Sequence, residues 1–250
     1  SGVNLAALDV ATDSGAVDSN VSNNVIVDRL YYKFPVGDQF TFIAGAVARN
    51  TESIALWPSK YNKGGAKILD WTALMGTSGV YNKETGQLIG AYWQQKVDKG
   101  DNNFSFSVNY VADDKNGNIS DPNEGGFMTS NSEASLMAQL GYAGPRWGIA
   151  LGYRYGQCDS GNGFRRGTSF AKSDDWNTDC EYTNSKGVED ARRSSSTNSY
   201  AINAYWAPED PGFIPSISLG WGLNSVSSND KADGTALTTQ SWMAGLKWDD

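Results

Sequence analysis

The chain has 250 residues, with 28 Asp and Glu against 20 Lys and Arg for a net charge of -8, and it has no histidine. That acidity gives no support to nucleic-acid binding, and the missing histidine removes Ser-His hydrolysis, His-dependent proteolysis and any His-built zinc site. No run of roughly 18 apolar residues exists, which excludes a helical membrane span but leaves a β-barrel open, because only half of each barrel strand meets lipid.

Along the chain the dominant signal is alternation with a period of two. Val3 to Val10 is a first candidate strand, and Val25 to Phe34, Phe40 to Ala48 and Gln87 to Val97 are less regular runs. Phe104, Phe106, Val108 and Tyr110 then alternate with Asn103, Ser105, Ser107 and Asn109, and Ala134, Leu136, Ala138, Leu140 and Tyr142 with Ser135, Met137, Gln139 and Gly141. In Trp147 to Tyr155 every second residue is bulky, while the opposite side is as bare as Gly148, Ala150 and Gly152. Three further runs follow, carried by Tyr200, Ile202, Ala204 and Trp206, by Ile217, Leu219, Trp221 and Leu223, and by Trp242, Ala244, Leu246 and Trp248. Leaving aside Val3 to Val10, these segments are nine strands of about 8 to 10 residues, long enough to cross a bilayer when tilted.

The connections alternate as well. Pro35 to Gln39, Asp98 to Asn102, Ala143 to Arg146 and Pro208 to Phe213 are short and rich in turn formers. Arg49 to Gly86, Asp113 to Glu133, Gln157 to Asn198 and Ser225 to Thr239 are long and polar. Tight turns at one rim and long loops at the other define an all-β, transmembrane up-and-down antiparallel barrel. Aromatic residues fall near both strand ends: Phe34, Phe40, Trp93, Trp147, Trp206 and Trp248 on the short-turn side, Tyr110, Tyr155, Tyr200 and Trp242 beside the long loops. Such belts suit the two headgroup levels. The competing architecture is a soluble sandwich with these rings in its core.

If the bulky face meets lipid, the other face lines water. Its expected wall residues are Arg29, Lys33, Lys96, Asn109, Gln139, Arg154, Asn203, Ser216, Ser218 and Lys247, so the wall is polar and its charges are positive. Such a wall favours anions or neutral hydrophilic solutes. The loop Arg49 to Gly86 is the candidate constriction, with Glu52, Lys60, Lys63, Lys67, Asp70 and Glu84 placed where they can fold inward, and its carboxylates are able to reverse that bias. Asp28 fits badly, because Arg29 pointing inward sends it outward toward lipid; a bulge or a covering subunit would accommodate it. Paired acids such as Asp113 with Asp114 and Asp174 with Asp175 sit in Asn- and Ser-rich loops and read as solvated charges, so no enzyme activity is expected. Asp114 to Asp121 has its glycine at the wrong offset for a calcium loop. No metal and no cofactor are expected.

Several blocks carry a family resemblance: Val27-Asp-Arg-Leu-Tyr-Tyr-Lys-Phe-Pro-Val-Gly-Asp38, Gly79-Val-Tyr-Asn-Lys-Glu-Thr-Gly86, Ala138-Gln-Leu-Gly-Tyr142, Tyr153-Arg-Tyr-Gly-Gln-Cys158, Asn203-Ala-Tyr-Trp-Ala-Pro-Glu209 and Ile214-Pro-Ser-Ile-Ser-Leu-Gly-Trp-Gly222. Together they resemble the cyanobacterial outer-membrane porins of the Som type, relatives of the carbohydrate-selective OprB porins often labelled iron-uptake porins, in the form of marine picocyanobacteria. The resemblance covers nearly the whole chain. It implies an outer-membrane homotrimer in contact with lipid, and a peptidoglycan-binding domain and closing strands outside residues 1–250, which then form a partial barrel domain. In a protein that matures through an oxidising periplasm, Cys158 and Cys180 are expected as a disulfide closing a loop of about 20 residues, worth roughly 3 kcal/mol, with two free thiols as the alternative. Arg165, Arg166, Arg192 and Arg193 in the same region suit the mouth or lipid phosphates. The expected function is a passive outer-membrane diffusion channel for small hydrophilic solutes and inorganic ions, with sugars or iron as further cargo. The alternatives are a secreted carbohydrate-binding sandwich and a surface receptor or adhesin that uses the long loops.

Overall fold

Alternating bulky and small side chains cannot form a two-sided core, and here they give one large sheet with two unlike faces. The computed structural model describes residues 5–12, 25–60, 76–77, 79–157, 181–183, 189–191, 196–210, 212–227 and 238–248. Its strands are β1 (Leu5–Thr12), β2 (Val25–Val36), β3 (Phe40–Arg49), β4 (Thr85–Gln94), β5 (Asn103–Asp113), β6 (Ser135–Ala143), β7 (Trp147–Gln157), β8 (Glu181–Thr183), β9 (Glu189–Ala191), β10 (Ser196–Trp206), β11 (Ser216–Ser227) and β12 (Thr238–Lys247). Ten of them make one antiparallel sheet in the order β1-β2-β3-β4-β5-β6-β7-β10-β11-β12. Each strand pairs with its neighbour in the meander, and no described pairing joins β1 to β12, so the sheet is open. A short helical turn, Asn50–Ser53, follows β3.

Short and long connections alternate along this meander, so the long segments all leave from one rim. The connection after β7 holds more than expected, because β8 and β9 pair with each other within it. Three-residue strands in a polar loop leave no periodic signal to read. Tight turns carry the backbone freedom that they need at Gly37 (φ 66°) and Gly100 (φ 105°).

The apolar face is uncovered. Ile149, Leu151, Ile202 and Leu219 are 40%, 50%, 45% and 56% exposed, and among the described residues no second sheet packs on them. Aromatic contacts run across this face from strand to strand, with Phe34 against Phe42, Phe104 against Tyr142 and Tyr153 against Tyr200 at ring separations of 5.9, 4.4 and 5.3 Å.

Asp28 is accommodated by a bulge. Asp9 pairs with Arg29 and Val10 with Val27, which leaves Asp28 as the extra residue. Its carboxylate meets Arg29 Nη2 at 3.1 Å and Arg49 Nη2 at 3.5 Å while Val27 and Leu30 stay exposed on either side. One residue of slip thus turns the charge from the apolar face toward two guanidinium groups.

Candidate functional site

The buried side of the sheet is covered by the described parts of the connection from β3 to β4, residues 50–60, 76–77 and 79–84. Its outgoing arm, residues 50–60, starts at the long-loop rim. The Asn50 carbonyl accepts from Asn109 Nδ2 (2.8 Å), Ala55 N donates to Ser107 Oγ (2.9 Å), and Lys60 N donates to Ser218 Oγ (3.0 Å). The arm therefore descends across the sheet from β5 to β11, toward the short-turn rim. The returning arm binds more deeply: Thr77 donates through N and Oγ1 to Asn203 Oδ1 (3.1 and 2.8 Å), Arg154 Nε donates to the Gly79 carbonyl (2.7 Å), and Gln139 Nε2 donates to the Tyr81 hydroxyl (2.9 Å).

Small residues make room for this. An added Cβ at Gly141 would meet Leu56 Cδ2 at 2.8 Å, one at Gly152 would meet Val80 Cγ1 at 2.8 Å, and one at Gly222 would meet Thr77 Cγ2 at 2.5 Å. At Gly90 the obstacle is Ser53 Oγ. The glycines on this face thus form a trough for the two arms. Ile54, Val80 and Tyr81 seal it with Met137 and Ala201, and Trp57 packs on the edge. Each fully buried side chain of that size contributes roughly 1.5–3 kcal/mol. A second cluster of Ile43, Ala48, Leu88 and Val111, with Tyr31 and Tyr92 against it, supports the first strands on the same face.

The neck of the loop is a polar clasp. Asn50 N donates to the Glu84 carbonyl (2.9 Å), Asn50 Nδ2 donates to Asn82 Oδ1 (2.7 Å), and Asn82 Nδ2 donates to Glu84 Oε2 (3.2 Å). Burial pushes the Glu84 carboxyl up to about 7, against the opposing pull of Arg154, with Asp113 adding to the rise. Burial likewise raises the Tyr81 hydroxyl above its ordinary range, so it stays protonated.

Of the wall residues expected from the sequence, Arg29, Asn109, Gln139, Arg154, Asn203, Ser216 and Ser218 are buried on this one face, and Lys33 and Lys247 are half-buried there. Lys96 is placed differently. β4 stops at Gln94, and Lys96 lies exposed beyond it with Nζ 2.7 Å from Asp38 in the neighbouring turn, so it belongs to the rim and not to the wall. Among the constriction candidates, Glu52 meets Arg29 Nε at 3.6 Å and the Tyr31 hydroxyl at 3.4 Å, Lys60 lies over the Tyr205 ring at 4.8 Å, and Glu84 closes the clasp. Lys63, Lys67, Asp70, Cys158 and Cys180 lie outside the described residues. Sequence reasoning did not single out Asn50, Thr77, Tyr81 and Asn82. The block Gly79 to Gly86 contained the signal for two of them, but not what they would touch.

No family model and no solved structure matches the chain. It is similar to an uncharacterized protein of Nostoc sp., alr4550, with 28% identity over 234 residues that take in 83% of this chain and 36% of that protein. The chain thus spans about a third of the length of this relative.

Proposed function

We propose that this chain is part of the wall of a passive diffusion channel in an outer membrane, a porin of the cyanobacterial type, in which the two described arms of the β3–β4 connection narrow the path. The observation that carries the reading is the opposition of the two faces: bulky side chains lie bare on one, while the other is polar and holds an inward-folded loop in a glycine trough. In water the bare face is an association hazard, whereas in lipid it is the favourable surface. The other face is rich in polar side chains, with Asn109, Gln139, Arg154, Asn203, Ser216 and Ser218 all on it.

An open ten-stranded sheet with unpaired edges needs further strands to seat in a bilayer, and the much longer Nostoc relative leaves room for them. Transport here needs no cofactor and no energy source, and the solutes are small and hydrophilic. The full-length protein, reconstituted in planar bilayers, is expected to give stepwise single-channel conductance and to show heat-modifiable gel mobility. A protein that stays soluble without detergent and conducts nothing would rule the channel out.

A further inference from the structure

Charge on the loop-covered face is sorted by level. At the long-loop end the carboxylates have basic neighbours: Asp28 with Arg29 and Arg49, Glu52 with Arg29, and Glu84 held in the field of Arg154. Asp113, the last residue of β5, belongs to this level too. The short-turn end is different. Lys33, near the end of β2, has its Nζ 5.1 Å from the centre of the Tyr92 ring, and Lys60 is carried by the loop to the Tyr205 ring beside Ser218. Lys247, the last residue of β12, pairs with Ser216, one step along the same face from Ser218. Among the described residues neither Lys33 nor Lys60 has a carboxylate within 4.0 Å, and each ammonium rests on a ring, which holds it in place without neutralising it. Among the described residues the acids at this level sit on the rim turns: Asp38 and Glu209 are paired with Lys96 and Arg146, and Asp98, Asp101 and Asp210 are exposed.

We propose that Lys33 and Lys60, each seated on a tyrosine, form a cationic tier at the short-turn end of the path that makes it conduct small inorganic anions in preference to cations. The proposal rests on the channel reading and adds the class of solute. It also assigns the loop a role opposite to the one its carboxylates suggest, because among its described residues Glu52 and Glu84 are matched by guanidinium groups at the far level while Lys60 reaches the tier. A fixed charge within a few ångströms of a passing ion changes its partition about fivefold even at the dielectric constant of water.

The test is the zero-current potential of the full-length protein in a planar bilayer of zwitterionic lipid under a potassium chloride gradient. A chloride-selective potential is expected for the parent. The double variants K33Q/K60Q and K33E/K60E should lower the chloride-to-potassium permeability ratio by about two- to fivefold and by more than that, respectively. K96E, on the rim, should leave it unchanged. The glutamine pair keeps an uncharged polar group at each ring and guards against a folding defect in the glutamate pair. A parent that prefers potassium, or a ratio unmoved in both double variants, overturns the tier while leaving the channel intact. A parent without any conductance overturns the channel reading itself.

Discussion

Glu84 is where proton binding meets loop position. Its carboxyl is raised by burial from 4.5 to about 7, so the seated loop holds a proton that the unseated one releases. A group with an elevated folded value contributes its full stabilisation below the unfolded value, and that contribution is lost as pH rises through about 7. The clasp that joins Asn50, Asn82 and Glu84 should therefore hold most firmly in mildly acid solution and loosen in mildly alkaline solution, by at most about 3 kcal/mol. Hydrogen exchange of the amides of Tyr81 and Asn82 is expected to quicken between about pH 5.5 and about pH 8 beyond its chemical dependence. Glu84→Gln should remove that extra dependence, and an equal pH response in the variant would show that some other group governs the neck.

At the scale of the loop and its bed, the trough is the controlling feature. A Cβ branch at Gly152 runs into Val80 Cγ1 at 2.8 Å and the Tyr81 hydroxyl at 3.2 Å, whereas valine suits the strand itself. Gly152→Val is therefore expected to lift the returning arm, at a cost of about 1–3 kcal/mol to its seating, while β7 keeps its place in the sheet. Single-channel conductance should rise. Unaltered conductance, with the arm shown displaced by protease sensitivity, would mean that the loop does not narrow the path. The bareness of Gly148, Ala150 and Gly152 was legible in the sequence, but its cause was not. A glycine records only that a neighbour comes close: at Gly148 it is the Tyr205 ring of the adjacent strand, and at Gly152 it is Val80, some seventy residues away, as the bond between Gly79 and Arg154 also illustrates, with a sequence separation of 75. Tyr81 and Thr77 were hidden for the same reason, since a polar residue in a long loop has no period to betray its partner. Lys96 was misplaced because the run from Gln87 stays strand-like past the point where the Asp38 pair and the Gly100 turn end the strand.

For the molecule as a whole, the alternation of strand faces and of connection lengths was readable, because both follow from local pattern. The misfit of Asp28 was readable too, with a bulge as one of two ways to accommodate it, but the register shift after Leu30 was not, since it depends on what lies across the ladder. The exposed face makes a claim about environment that one substitution can examine. Leu151 is half exposed in the middle of β7. Leu151→Arg should cost about 2–4 kcal/mol in unfolding measured in a bilayer if that face meets acyl chains at depth. In a water-facing sheet the same change would be nearly neutral, and a cost below about 0.5 kcal/mol would place the face in water.

Because Asn50, Asn82 and Glu84 tie the two arms together before either enters the trough, the spacing of β3 and β4 is fixed upstream of everything the arms carry. A change in what the arms carry is therefore expected to alter the path without unpairing β3 from β4, and amide protection along that ladder would check it.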